Sequence, residues 1–382
     1  MIGLINLSGF SSQRWGTTKG LADTETWCKK NNAVFQEIYP QKGIRQSAPM
    51  VFDEDVHPLI ESEYERIQQK AYIAIIEGAR VWGRNGAVIT PDDLLLEDVS
   101  REFGQYGGVT GKKHSVFLQL KLAAPKRVAG MVAVLASPGA NNFHHWLYDN
   151  IARIHLLEKA GYLSQVDYFI VDFMGIPFQR ETIQRLGIPE NKLMICHDNW
   201  SFHIRAEKLV VPSLPSRLGV ISDWTIEYLQ HLFAGPSIIE NPCKRFYISR
   251  RKAPSRKLVN ESALLDFLKG FGFEEYFAEE HPVGETAQVF KNAEIIVGVH
   301  GSGLSNLAFA SNGIKVLDIV APRHIDPYYW VITQFKKGTY AYITGEGERT
   351  ESENDLIRNK VDLDIDLDMR KFETLFHQLV NA

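Results

Sequence analysis

From about Arg127 onward, short apolar runs alternate with stretches whose apolar positions recur every three or four residues. A strand buried on both faces reads as a continuous apolar run, and the helix covering it reads as a stripe. The alternation therefore predicts an α/β chain built on parallel sheets. Val128–Ala136, Val166–Val171 and Lys208–Val211 read as strands. Between and after them come helices at His144–Ala160, around Glu181–Leu186 and at Trp224–Phe233. In the first, Leu147, Ile151, Ile154 and Leu157 share one face. Ala234-Gly235-Pro236 and the polar stretch to Lys244 break the pattern, which then starts again. Arg245–Ser249, Phe273–Phe277, Glu294–Val299 and Lys315–Val320 read as strands, with helices at Glu261–Phe271 and Thr286–Asn292. The expected units are residues 1–235 and 236–350, with a tail and helix at 351–382 packing back on the first unit. Ligands of such sheets bind beyond the carboxyl ends of the strands, so the cleft between the units is the place to look.

The region before Arg127 is less regular. A turn is expected at Pro40–Gly43, a helix from Glu61 to about Gly78, and a loop at Gly104–Gly111, which holds four glycines. Ala79–Gly83 and Ala87–Thr90, joined by Asn85-Gly86, read as a β-hairpin within a lead-in segment at about 72–100. At 45% hydrophobic and 23% charged, the 382 residues exclude wholesale disorder. A net charge of −4 argues against a protein that wraps nucleic acid. Three widely separated cysteines, Cys28, Cys196 and Cys243, make neither a CxxC zinc pair nor a disulfide framework. Met1–Trp15 lacks the basic start and apolar run of a signal peptide, and no window reaches the roughly 20 apolar residues of a membrane span. The expectation is a cytoplasmic protein, with any contact at the inner membrane peripheral.

Three clusters carry candidate chemistry. In the first, the strand Glu294–Val299 runs into His300-Gly301-Ser302-Gly303-Leu304-Ser305-Asn306. Glycines let amides approach a ligand, and a helix N-terminus presents unpaired N–H donors, so a diphosphate could sit here. A turn that needs glycine only for packing has the same spelling. The spacing GxxGxG is not the dinucleotide fingerprint GxGxxG, and Ser302 lies in no GxSxG elbow. The second cluster is Arg250, Arg251, Lys252, Arg256 and Lys257, just past a strand end; Arg250 and Arg256 are candidate diphosphate ligands, and a solvated basic loop is the alternative. The third is the helix Asn142–Arg153, where positions 145, 149 and 153 share a face. His145 and Asp149 could be a base and its orienting carboxylate; Asp149 and Arg153 could equally be a plain surface pair. Asp362, Asp364, Asp366 and Asp368 superficially offer the DxD of a metal–nucleotide site but read better as the start of a terminal helix bearing Phe372, Leu375, Phe376 and Leu379. Asp53-Glu54-Asp55 reads as a solvated turn.

With these blocks in hand, the chain resembles glycosyltransferase family 61, which contains capsular-polysaccharide-type bacterial enzymes and eukaryotic N-acetylglucosaminyl- and xylosyltransferases. Asn142–Arg153, Tyr247–Glu261 and Glu294–Phe309 carry the resemblance in order, with a weaker block at Tyr72–Ser100. Two departures stand out: Glu285 is followed by Thr286 rather than Gln, and the acid after the glycine loop is Asp318 rather than Glu. The resemblance implies an inverting, metal-independent sugar transferase of GT-B architecture, with two Rossmann-like domains facing across a cleft. It makes 1–235 the acceptor side and 236–350 the nucleotide-sugar side. No metal or cofactor is expected; the substrates are a nucleotide sugar, expected to be a UDP-sugar, and a saccharide acceptor of bacterial surface polysaccharide. His145 and Asp149 become the catalytic pair. Arg250, Arg256, His300, Gly301, Ser302, Gly303, Leu304, Asn306 and Asp318 become the donor-binding set, with Asp318 at the ribose. The competing readings are a noncatalytic nucleotide- or saccharide-binding protein, a nicotinamide-dependent oxidoreductase, and a metal-dependent transferase using the C-terminal aspartates.

Overall fold

The computed structural model describes residues 18–104, 107–197, 199, 201–215, 221–235, 243–349 and 364–382. It is a mixed α/β fold with two large sheets. The second sheet has five parallel strands in the order Glu274–Tyr276, Arg245–Ile248, Ile295–Val299, Lys315–Val320 and Thr339–Thr344. Successive strand residues point to opposite faces, and the core divides accordingly. Phe246, Ile248, Ile296 and Val316 pack with Val283, Ala287, Phe290 and Trp330 on one side. Tyr247, Val297, Leu317 and Ala341 pack with Leu264, Leu268, Phe372, Leu375 and Phe376 on the other.

That second face corrects the expected position of the tail. The terminal helix Met369–Asn381 covers the second sheet rather than returning to the first unit. The helix Glu261–Lys269 leaves part of that face uncovered, and the stripe Phe372, Leu375, Phe376 and Leu379 fills it. Burying each such side chain is worth about 1.5–3 kcal/mol. Asp368 caps the helix by accepting from the Arg370 and Lys371 amides at 2.9 and 3.2 Å, and Asp364 accepts from the Lys257 amide at 2.9 Å. These aspartates hold backbone; Asp362 lies outside the described residues. Asp53-Glu54-Asp55 is also engaged, since Glu54 accepts from the Thr344 amide and Arg349, and Asp53 pairs with Lys371.

The first sheet has ten strands and is mixed. His203–Pro212, Lys126–Val134 and Tyr168–Val171 run parallel, as the alternation predicted, and Leu193–Ile195, not read from the sequence, adds a fourth parallel strand. On the outer side of His203–Pro212 lie the antiparallel strands Ala71–Glu77 and Arg80–Trp82, so this unit departs from a purely Rossmann-like sheet. The helix expected over 61–78 is replaced by the short turn Pro58–Glu61 and strands Glu65–Gln68 and Ala71–Glu77. Tyr-Ile-Ala-Ile-Ile is rich in β-branched side chains, and a sheet that buries both faces overrides helical spacing. The Asn85-Gly86 hairpin forms, and the glycine loop contains a small hairpin of Glu102–Gly104 and Gly107–Val109. Residues near Ser47 and Met50 cross to the second unit, where the Met50 amide donates to Tyr340 C=O at 2.8 Å and Trp330 Nε1 donates to Ser47 C=O at 3.1 Å. The 1–235 segment is therefore shared between the sheets. Glu181 joins them again, accepting from the Val283 and Gly284 amides at 2.6 and 2.7 Å.

Candidate active site

The histidine helix begins at the carboxyl end of strand Lys126–Val134, where Asn142 Oδ1 accepts from the His144 amide at 2.9 Å. After one turn at Phe143–His145 it widens into a π-helical segment, Trp146–Ile151, before closing as Arg153–Lys159. The single regular helix expected here is thus interrupted. Asn150 bridges the widened turn, donating to His145 C=O at 3.0 Å and accepting from the Ser137 amide at 3.1 Å. Such segments re-aim side chains and recur at functional sites.

Its effect is to separate the residues that spacing placed on one face. His145 Nδ1 and Asp149 Oδ2 lie 2.7 Å apart, with side chains 21% and 17% exposed. A carboxylate at Nδ1 holds the proton there and leaves Nε2 as the basic nitrogen. The ring meets Phe103 edge-on at 5.3 Å. Arg153 instead turns inward and is fully buried, donating to Ala136 C=O at 3.1 Å and Pro212 C=O at 2.5 Å. It ties neighbouring strands together, so the exposed Asp149–Arg153 pair is ruled out.

His144 and Tyr148 reach across to the second unit. His144 Nδ1 lies 2.9 Å from Ser305 Oγ, Tyr148 Oη donates to Ser305 C=O at 2.7 Å, and Tyr328 stacks on His144 at 4.8 Å. Burial pushes the His144 imidazole down to about 3, so it stays neutral. The histidine helix therefore grips the segment that follows the glycine loop. Adjacent histidines in the sequence carry no mark of which one faces the partner unit.

That loop leaves the buried strand Ile295–Val299 and enters a 3-10 helix, Ser302–Phe309. The Leu304 amide closes the first turn on Gly301 C=O at 2.9 Å, so the Ser302 and Gly303 amides lie at the open, electropositive end. Gly301 has an extended backbone, with φ of 170°, that any residue could adopt. Its lack of a side chain matters because a Cβ there would fall 2.1 Å from Arg250 Nη1. Arg250 also donates to Ser255 C=O at 3.1 Å, and Arg256 donates to His300 C=O at 2.9 Å. The basic run is thus sorted: Arg251 pairs with Glu275 at 2.8 Å and Lys252 pairs with Glu280, while Arg250 and Arg256 lie against the glycine loop.

Beneath the loop, His300 Nδ1 meets Asp318 Oδ2 at 2.7 Å, and Asp318 also accepts from Tyr340 Oη at 2.7 Å. Burial would push His300 down, but Asp318, then Asp326, outweigh it and hold the ring above its usual value. Asp318, the expected ribose contact, is fully buried, and its carboxylate meets His300 and Tyr340. Leu304 packs against Gly298, and Asn306, also buried, donates to Gly303 C=O at 2.9 Å. Both brace the loop from within.

One cluster was missed in the sequence. Ring nitrogens of His300 and His324 and a carboxylate oxygen of Asp326 lie within 4.8 Å of one another. Two imidazoles and a carboxylate are a transition-metal donor set in kind. Asp318 holds His300 Nδ1 at 2.7 Å and leaves Nε2 facing Asp326 at 3.8 Å, so an ion there would need that ring in its neutral form. Three positions scattered over 300–326 have no motif spacing that would have revealed them.

Comparisons with known proteins follow the same region. Residues 143–317 match the family model Glycosyltransferase 61. Among solved structures, the chain is similar to the iron-containing dodecameric glycosyltransferase TibC from enterotoxigenic E. coli H10407, at 11% identity over 90% of this chain and 99% of that one, with a TM-score of 0.33. It is also similar to the iron-containing heptosyltransferase TibC in complex with ADP-D-beta-D-heptose, at 12% identity over 88% and 99%, with a TM-score of 0.35. No curated protein matches the chain. From the histidine helix to the strand beneath the glycine loop, residues 143–317 carry the glycosyltransferase 61 pattern, and the chain is a glycosyltransferase.

Proposed function

We propose that this enzyme moves one sugar from a nucleotide-diphosphate donor to a glycan hydroxyl, with inversion and without a metal ion. The observation that carries the proposal is the Arg250 guanidinium packed against Gly301 at the open end of the 3-10 helix, with Arg256 bonded to the neighbouring His300 carbonyl. Two guanidiniums against the glycine loop and two amides at the open end of its helix supply the kind of donors that bind a diphosphate. His145, oriented by Asp149, takes the acceptor proton at Nε2. The acceptor oxygen attacks the anomeric carbon from the face opposite the leaving group. The bond from that carbon to the diphosphate oxygen breaks, and the nucleoside diphosphate leaves with the electron pair. Charge developing on the leaving oxygens is met by Arg250, Arg256 and the Ser302 and Gly303 amides, the role a cation fills in other sugar transferases.

In this reading the two sheets are the halves of a GT-B-type enzyme, with the acceptor on the first and a nucleotide sugar, expected to be a UDP-sugar, on the second. The product is surface polysaccharide of a bacterium, made on the cytoplasmic side. The test is release of nucleoside diphosphate from a panel of nucleotide sugars, followed by mass spectrometry with and without EDTA. One donor should be turned over at the same rate in both conditions. Loss of turnover on chelation would favour an ion at His300, His324 and Asp326 instead. Silence with every donor would count against transfer.

A further inference from the structure

The segment Gly111–Arg127 has a chemistry that the proposed reaction does not use. It contains Lys112, Lys113, Lys121, Lys126 and Arg127 and no acidic residue, within a chain whose net charge is −4. Lys112, Lys113, Lys126 and Arg127 are exposed. Between them, Leu118 is 79% exposed and Leu120 fully so, at 103%. Leu118 and Leu120 thus form an exposed apolar tip within a basic segment, a combination of apolar and cationic groups that suits an interaction surface.

The leucines are presented by a held scaffold. Val116 and Leu122 point inward to a cluster with Trp82, Ile89 and Leu95, so the chain is pinned on both sides of Leu118 and Leu120. Glu102 fastens the same segment by accepting from Ser115 Oγ at 2.7 Å. The neighbouring Phe103, 45% exposed, is the residue that meets His145 at 5.3 Å. A basic, apolar-tipped surface thus borders the candidate acceptor side.

We propose that Gly111–Arg127 docks this enzyme on an anionic phospholipid bilayer, with Leu118 and Leu120 entering the headgroup–acyl boundary and the flanking cations meeting lipid phosphates. A bilayer supplies both complements at once, apolar depth beneath negative charge. Nucleic acid would match the cations and leave the leucines in water. Among the described residues no helix is long and apolar enough to cross a membrane, so this contact would be interfacial. Taken with the transfer reading proposed above, on which this part rests, it makes the acceptor a saccharide carried on a lipid, delivered beside His145 while its tail stays in the bilayer.

Co-sedimentation of the full chain with vesicles tests the docking without any nucleotide or turnover. Binding to phosphatidylcholine vesicles containing phosphatidylglycerol should greatly exceed binding to phosphatidylcholine alone. It should fall steeply between about 0.1 and about 1 M salt, as the Debye length shrinks from about 10 to about 3 Å. Lys112→Glu/Lys113→Glu should weaken partitioning by about thirtyfold or more, and Leu118→Ser/Leu120→Ser by about tenfold or more. Both double variants should keep the wild-type melting temperature and release nucleoside diphosphate with a soluble acceptor at the wild-type rate. Equal sedimentation of wild type and both variants, or no preference for anionic vesicles, would overturn the proposal. So would light scattering that shows a dimer abolished by Leu118→Ser/Leu120→Ser, since the patch would then be an interface between copies. A chain that binds vesicles as described yet turns over no donor would retain the docking surface and lose the transferase mechanism.

Discussion

Replacing Gly301 with alanine is expected to lower turnover by about 10²–10³-fold while leaving the melting temperature near that of the wild type. The backbone itself raises no objection, because Gly301 is extended, with φ of 170°. The obstacle is the new Cβ, which would sit 2.1 Å from Arg250 Nη1 and 3.0 Å from its Cζ. A guanidinium at the end of a flexible side chain can move away, so the fold survives and the charge leaves its post. Removing one preorganised donor from a developing anion costs about 2.7–4 kcal/mol of transition-state stabilisation. Arg250→Ala should lose a similar factor for the same reason. The double variant should be no slower than either single one, because both remove one interaction. Steady-state kinetics on the three variants checks this. Wild-type kcat in Gly301→Ala, or losses that multiply in the double variant, would show that Arg250 does not act at the loop.

His145→Ala should reduce kcat by about 10²–10⁴-fold, the range expected for a positioned general base. The neighbouring histidine supplies the control. His145 is partly open and pairs with Asp149 of its own helix, so its removal should change stability far less than removal of His144. His144 is buried, bonds Ser305 and stacks on Tyr328, so His144→Ala should lower the melting temperature and loosen the contact between the units. Kinetics and thermal melts on the two alanine variants separate a residue that acts on substrate from one that holds the site together. Near-normal turnover in His145→Ala, with the fold intact, would remove it from the chemistry.

Where the sequence was informative, one local pattern fixed the outcome. Ile295–Val299 and Lys315–Val320 of the second sheet and Tyr168–Val171 of the first lie in nearly continuous apolar runs, because burial on both faces leaves little choice of side chain, whereas the parallel strands Thr339–Thr344 and Leu193–Ile195 were not read from the sequence. Asn85-Gly86 specified its hairpin, where Gly86 has φ of 72° and a Cβ would meet Ala136 Cβ at 2.9 Å. The failures came where tertiary context decided. Ala71–Glu77 has helical spacing as well as β-branched composition, and the waiting edge of His203–Pro212 chose the strand. The terminal helix showed its apolar stripe plainly, but which sheet it would cover depended on which face lacked a partner.

The site was legible to a similar degree. His145 with Asp149, and Arg250 with Gly301, are close in the sequence or tied to a motif, and they do meet. The π-helical widening that turns Arg153 inward leaves no trace in residue spacing. Asp318 was visible as an acid after the loop, whereas its burial beneath His300 and Tyr340 required the sheet to be assembled. His324 and Asp326 join His300 only because the turn after strand Lys315–Val320 folds back over the loop.

The most direct test of the account is a structure of the chain with a bound nucleoside diphosphate. Diphosphate oxygens should lie about 2.7–3.1 Å from the Arg250 and Arg256 guanidiniums and from the Ser302 and Gly303 amides, with no ion between them. A diphosphate found away from these groups, or held through a metal on His300, His324 and Asp326, would contradict it.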